Sequence, residues 1–243
     1  MKLLSIDSSG LVASVALVED EILRAEYTVD YKKTHSQTLL PMLNEIKTMT
    51  GLELDTIDAI AIAEGPGSFT GLRIGAATAK GLGLALDKPI VPVPTVDALA
   101  FNLWGAGGAV CPLMNARRNQ TYTGIYRFEA GKMQILTPQC VIALAEILQQ
   151  VNALGEPVTF LGDGIPEFRE TIQEVCTVPY CFAPAHKSRQ HAGSVGVLGM
   201  QKFQNGEFVS ADAFAPIYLR LSQAERERME KEGKDPSAAE ANV

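Results

Sequence analysis

An order of elements that occurs twice along this chain narrows its fold more than any single motif does. Lys2–Asp7, Val12–Glu19 and Ile22–Val29 read as strands, the last two joined as a hairpin across Asp20-Glu21. Over Ser36–Met49 the apolar residues Leu39, Leu40, Leu43, Ile46 and Met49 recur at spacings of three and four, the stripe of a helix that Gly51 ends. Ile57–Ala63 is an unbroken apolar run, as in a strand buried on both faces. A helix over about 70–86, a strand over Pro89–Pro94 and a helix over Thr95–Trp104 follow.

Beyond the break Gly105-Ala106-Gly107-Gly108 the order partly repeats. Strands are expected near Val110–Asn115, Thr121–Phe128 and Met133–Leu136, then helix Ile142–Val151, strand Val158–Leu161 and helix Pro166–Cys176; a last helix covers Ala192–Phe203. Two successive β-β-β-α-β-α units predict an internally duplicated α/β protein with a cleft between its halves. The expected subdomains are 1–104 and 105–220, with the last helix free to pack back on the first. Residues 221–243 form a charged tail, a solvated helix end over Gln223–Lys234 and disorder over Asp235–Val243.

Composition removes several function classes. Hydrophobic residues make up 47% of the 243, which excludes wholesale disorder. Lys and Arg number 21 against 28 Asp and Glu, a formal charge of −7, so tight nucleic-acid binding by this chain alone is not expected. Any RNA contact would be arranged through a partner. Asp7 stands where an export signal needs an apolar run, and no stretch approaches the ~18 apolar residues of a membrane span. Cys111, Cys140, Cys176 and Cys181 show no C-x-x-C pair and read as reduced thiols. A cytoplasmic protein is expected.

Each candidate motif has a functional and a structural reading. Asp7-Ser8-Ser9, ending the first strand, suits a metal-bound phosphate, and it is also ordinary turn chemistry. The segment Gly65-Pro66-Gly67-Ser68-Phe69-Thr70-Gly71-Leu72-Arg73-Ile74-Gly75 lies between strand and helix, where freed N–H groups suit an anion. It is neither a Walker A loop nor a dinucleotide fingerprint. Gly71, Gly75, Ala79 and Gly83 fall four apart and draw a ridge of small residues; each glycine costs about 1 kcal/mol against alanine, so close packing must offset it. The ridge packs either on the protein's own sheet or in a subunit interface. Arg117-Arg118 meets an anion at a cleft or is a solvated turn; Gly162-Asp163-Gly164 is a turn or touches nucleotide. His35, His186 and His191 include no pair spaced i, i+4 for a helical metal site, and no G-x-S-x-G elbow occurs, so no metal or catalytic residue is named. His35 beside Ser36 looks like a helix start.

Ile6-Asp7-Ser8-Ser9, His35-Ser36-Gln37-Thr38-Leu39-Leu40-Pro41-Met42-Leu43 and the Gly65–Gly75 segment resemble the TsaB (YeaZ) family of threonylcarbamoyladenosine-forming proteins. So do Asn115-Ala116-Arg117-Arg118 with Tyr122, Gly162-Asp163-Gly164 and Pro216-Ile217-Tyr218-Leu219-Arg220. The resemblance implies a duplicated actin/hexokinase/Hsp70-like ATPase (ribonuclease H-like) fold. It implies a non-catalytic partner of the catalytic paralogue TsaD, working with the ATPase TsaE to modify an adenosine beside the anticodon of certain tRNAs. It implies tRNA contact only through the complex, a homodimer without TsaD, and no firm cofactor, ATP or ADP with Mg at a complex interface being the one candidate. A phosphate-like site of Asp7, Ser8, Ser9, Arg117, Gly162, Asp163 and Gly164 is expected. The expected subunit interface is His35, Leu39, Leu40, Leu43, Gly71, Arg73, Gly75, Ala76 and Ala79. Family members commonly carry acids where this chain has Asn115 and Gln120, a loss of negative charge that would change any metal or phosphate preference there, so little nucleotide binding is expected at that site. The rival expectation is an autonomous nucleotide-dependent transferase or a glycoprotease-type peptidase.

Overall fold

The computed structural model describes residues 1–31, 33–221 and 223–232. Among these residues, ten strands form two five-stranded sheets. The first contains β1 (Lys2–Asp7), β2 (Ala13–Glu19), β3 (Ile22–Val29), β4 (Ala59–Gly65) and β5 (Ile90–Pro94), in the order β3-β2-β1-β4-β5. The second contains β6 (Ala109–Asn115), β7 (Gln120–Glu129), β8 (Lys132–Ala143), β9 (Val158–Leu161) and β10 (Tyr180–Phe182), in the order β8-β7-β6-β9-β10. In each sheet the first three strands are antiparallel and the other two run parallel to the first. One topology therefore occurs twice, and the fold is the duplicated ribonuclease H-like arrangement expected from the sequence.

The central strand β4 shows why these residues make this architecture. Its two faces carry different residues, as period-two alternation requires. Ile60 and Ile62 pack with Leu4 and Ile6 of β1 against Leu39, Met42, Leu43 and Ile46 of helix α1 (His35–Thr50). Burying each such side chain contributes about 1.5–3 kcal/mol. Ala59, Ala61 and Ala63 line the opposite face with Leu3 and Val91. Their small size admits helix α6 (Ala192–Gln204) so closely that a Cβ on Gly199 would stand 2.6 Å from that of Ala61.

Two helices cross between the repeats. α6 follows the second sheet in sequence yet packs Val195 and Leu198 on the first. In exchange, α3 (Thr95–Phe101) packs Val96, Leu99 and Ala100 with Val110, Met114 and Tyr126 of the second. Helix α2 (Phe69–Leu86) shares the first core, and α4 (Leu144–Leu154) and α5 (Ile165–Val175) cover the second. Residues beyond α6 return to the first sheet: Val209 and Ile90 exchange two backbone hydrogen bonds of 2.9 Å, and Ile217 N–H donates to Glu64 O at 2.7 Å. Helix α7 (Gln223–Lys231) follows, as the charge pattern suggested; the disorder expected over Asp235–Val243 lies outside the described residues.

Two strand assignments from the sequence need correction. β8 runs over Lys132–Ala143, well beyond Met133–Leu136, so α4 begins at Leu144 and not at Ile142. β8 continues through Pro138 because it is the sheet's edge, where a missing N–H costs no ladder bond. β10 was not expected because it is three residues long and half exposed, too short for any periodicity. With it, each repeat reads β-β-β-α-β-α-β-α.

Candidate functional site

Two sequence motifs about 60 residues apart meet at the end of β1. Ser8 Oγ donates to Gly71 O at 2.9 Å, and Ser68 N–H donates to Ser9 O at 2.6 Å. The Ser8–Ser9 backbone lies so close to the α2 N-terminus that a Cβ at Gly67 or Gly71 would collide with a backbone carbonyl oxygen. At Gly75 it would collide with the Ser8 hydroxyl. The glycine spacing in this segment is thus a packing requirement.

That closeness decides which of its two expected packings the small-residue ridge adopts within this chain. Leu39, Leu43, Gly71, Gly75, Ala76 and Ala79 are buried within this chain, and Gly83 faces Ala211 of the returning C-terminal segment. The small-residue ridge belongs to the core. Of the nine residues, Leu40 and Arg73 are surface positions, Leu40 being 57% exposed. His35 is half-buried and places Nε2 2.9 Å from Gly10 O.

The Asp7 carboxylate is 1% exposed, and its Oδ1 accepts from Ser9 N–H at 2.9 Å and Ser9 Oγ at 2.6 Å. Burial pushes its pKa above the usual carboxylate value, against the Ser9 hydrogen bonds and the fields of His35 and His191.

On the second sheet, Gly162-Asp163-Gly164 forms the turn into α5. Asp163 Oδ1 accepts from Asn115 N–H at 3.3 Å, and Gly164 N–H donates to Leu113 O at 2.9 Å. Burial raises the Asp163 pKa, opposed by the Asn115 N–H and the Arg189 charge. Arg117 is exposed at the β6–β7 turn beyond Asn115, linked to this group through its N–H bond to Asn115 Oδ1. The seven phosphate-like residues therefore fall into two groups, Asp7–Ser9 on the first sheet and Arg117 with Gly162–Gly164 on the second.

A loop that carries no sequence motif ties the two groups together. Ser188 O accepts from Gly162 N–H at 3.0 Å, and Arg189 Nη1 donates to Gly162 O at 2.8 Å while its Nε reaches Asp30 Oδ2 at 3.4 Å. The next residue, Gln190, is 1% exposed and lies flat on Gly10. Its amide nitrogen and oxygen, like His35 Nδ1, are buried without a hydrogen-bond partner. Asn102 holds the loop from behind, donating to Lys187 O at 3.1 Å and Arg189 O at 2.6 Å and accepting from Ser194 Oγ at 2.7 Å. His191 closes it, with Nδ1 3.1 Å from Glu26 Oε2 and Nε2 3.0 Å from His186 O. Neither Asn102 nor Gln190 stood out in the sequence, since single polar residues beside a helix have no pattern to betray them.

ATP or ADP with Mg needs an acceptor oxygen open to solvent beside the phosphate turn. Asp7 is sealed and engaged by Ser9, and Gln190 covers Gly10, so the residues of this chain by itself do not fit that group. Among the described residues no three His, Cys, Asp or Glu side chains are grouped to hold a metal ion. No helix there is long and apolar enough to cross a membrane. All four cysteines are free, and burial pushes the Cys111 thiol up to about 12, the value of an inert core residue.

A family model described as TsaD, tRNA N6-adenosine threonylcarbamoyltransferase, matches residues 25–228. A tRNA threonylcarbamoyladenosine biosynthesis protein TsaB from Bacillus subtilis (strain 168) is 31% identical over 232 residues, covering 96% of this chain and 100% of the relative. TsaB of Escherichia coli (strain K12) is 31% identical over 236 residues, 92% of this chain and 96% of its own. Among solved structures, YeaZ from Pseudomonas aeruginosa superposes with a TM-score of 0.73 at 26% identity, covering 89% of this chain and 99% of that one. A second Pseudomonas aeruginosa structure, described as similar to peptidase YEAZ, gives a TM-score of 0.75 at 27% identity over 90% of this chain and 99% of its own.

Proposed function

This chain belongs to the TsaB family, and from that premise we propose that it serves tRNA threonylcarbamoyladenosine biosynthesis as a non-catalytic subunit docking a TsaD-like transferase. The observation that carries the reading is the closed state of the phosphate turn. In a fold whose first-strand acid would face a phosphate, Asp7 is buried and held by Ser9, and Gln190 lies on Gly10 at the end of the same turn. Such a carboxylate supports the shape of the β1 turn. The reading includes a TsaE-like ATPase as a further partner, a homodimer when the transferase is absent, and action in the cytoplasm.

Reconstitution tests it. With the threonylcarbamoyl donor, tRNA, the transferase and the ATPase supplied, formation of the modified adenosine should require this chain, and Asp7→Asn should support it as well as the wild type. Full-rate modification without the chain defeats the proposal. So does steady ATP turnover or peptide cleavage by the purified chain that Asp7→Asn abolishes, the outcome an autonomous enzyme requires.

A further inference from the structure

Arg117, Arg118 and Asn119 hold φ of 63°, 57° and 57°, three successive non-glycine residues in the left-handed region. That conformation costs roughly 1–2 kcal/mol per residue. The turn keeps it because it is fastened on every side. Arg117 N–H donates to Asn115 Oδ1 at 2.6 Å. Ala116 N–H donates to Gln120 O at 3.0 Å, Gln120 N–H to Arg117 O at 3.1 Å, and Leu144 N–H to Asn119 O at 3.0 Å. From the C-terminal segment, Arg220 donates to Ala116 O.

What this strained turn holds out to solvent is two adjacent guanidinium groups, both exposed and neither in an ion pair among the described residues. Below the turn, Asp163 and Glu167 both accept hydrogen bonds from Asn115. Arg220 also leads to a second cationic group two residues back. The Tyr218 ring lies 4.8 Å from that of Phe69, the Arg73 guanidinium stacks 4.0 Å over Phe69, and Arg73 Nε donates to the Tyr218 hydroxyl at 3.4 Å. Arg73 is exposed. The segment from Tyr218 to Arg220 thus links the Arg73–Phe69 stack to the Arg117–Arg118 turn, in a chain whose net charge is −7.

We propose that these two linked groups contact RNA, with Arg117 and Arg118 on phosphodiester oxygens and the Arg73 guanidinium, stacked on Phe69, offering its plane to an unpaired base. Forked guanidinium donors match phosphate oxygens, and bases stack on arginine planes and aromatic rings. The arginines stand at a hairpin tip, so the complementary charge is an extended polyanion lying across the surface. The contact rests on the reading of the chain as a tRNA-modification subunit and adds to it a surface of this chain's own. The negative charge elsewhere makes the contact weak, one that orients RNA on an assembly.

The test is fluorescence anisotropy of a labelled RNA stem-loop titrated with the full chain at low salt. Binding with a Kd of about 10⁻⁵–10⁻⁴ M is expected, in the range of sequence-independent phosphate contacts. The Arg117→Ala/Arg118→Ala double variant should lower the slope of log K against log salt by about 1.4, roughly 0.7 for each phosphate that is no longer neutralised. Arg73→Ala should weaken binding to the single-stranded loop more than to a duplex of equal length. Arg169→Ala, removing an exposed charge on α5, should change nothing. An unchanged thermal melt shows that the double variant is folded. No binding, equal binding by the double variant, or equal competition by polyglutamate each overturns the proposal, the last by identifying an acidic protein as the ligand. Reconstituted tRNA modification that needs this chain while RNA binding is absent would overturn the contact alone and leave the function standing.

Discussion

Replacing Gly75 by alanine should destabilise the protein, although alanine is the better helix former. A methyl group there would stand closer than 3.0 Å to Ser8 Oγ, with Ile62 Cδ1 and Ser8 Cβ both at 3.5 Å on its other sides. The Ser8 side chain can yield only by giving up its buried 2.9 Å bond to Gly71 O, a loss of about 1 kcal/mol. Overpacking adds about 1–3 kcal/mol, and helix propensity returns about 1. The net cost is about 1–3 kcal/mol, read as a fall in Tm of about 2–4 °C for each kcal/mol in a chain of this size. Gly81 provides the opposite sign on the same helix. It is exposed with nothing within 4 Å of a new Cβ, so Gly81→Ala should raise stability by about 1 kcal/mol. Thermal and urea unfolding of both variants, with sedimentation to follow association, decides the matter. Should Gly75→Ala melt at or above the wild type while losing self-association, the ridge is an interface and its assignment to the core is wrong.

Stability should depend on pH through the clasp between β3 and α6. The hydrogen bond to Glu26 raises the His191 pKa above its ordinary 6.5, so this contribution is complete below pH 6.5 and fades as pH rises through the raised value. Burial works against the Glu26 charge, but His191 and the Gly193 N–H outweigh it and hold the pKa below 4.5; that contribution is lost as pH falls through the lowered value. His191→Gln should flatten urea-derived stability above pH 6.5, and an unchanged profile would refute the pairing. Asp7 has the other sign for an acid: its raised pKa makes stability decline as pH climbs from 3.8 through the folded value, so Asp7→Asn should remove that decline and be near neutral or stabilising at pH 7. Asp7→Ala leaves Ser9 without its acceptor and should cost about 1–3 kcal/mol in the same unfolding experiment. Asn102→Ala strands the carbonyls of Lys187 and Arg189 and should cost about 2–3 kcal/mol. Amide exchange over residues 187–194 should quicken in step, and slow exchange there would show that Asn102 does not hold the loop.

Much of the architecture was legible from the chain because it rests on local periodicity. The Ile/Ala run of β4, the Leu39/Leu43/Ile46 stripe of α1 and the Asp7-Ser8-Ser9 turn carry patterns that only one element type satisfies. The extension of β8 past Leu136 and the whole of β10 escaped because edge and three-residue strands have one exposed side and too few turns of the pattern to register.

The amino-acid sequence by itself determined the doubled order of elements, the family and the motif at Gly65–Gly75, since each is written in neighbouring residues. Only the tertiary structure decided what the motif is for. Whether glycines at 67, 71 and 75 face a partner or the Ser8–Ser9 backbone depends on where a strand some 60 residues away ends. Likewise the clasp of residues 188–191 onto both halves, and the link that Tyr218 and Arg220 make from Arg73 to the Arg117–Arg118 turn, arise from chain segments that meet only on folding. Spatial neighbours far apart in sequence leave no periodic trace, because the packing that selects them is a property of the assembled sheets and not of any one segment.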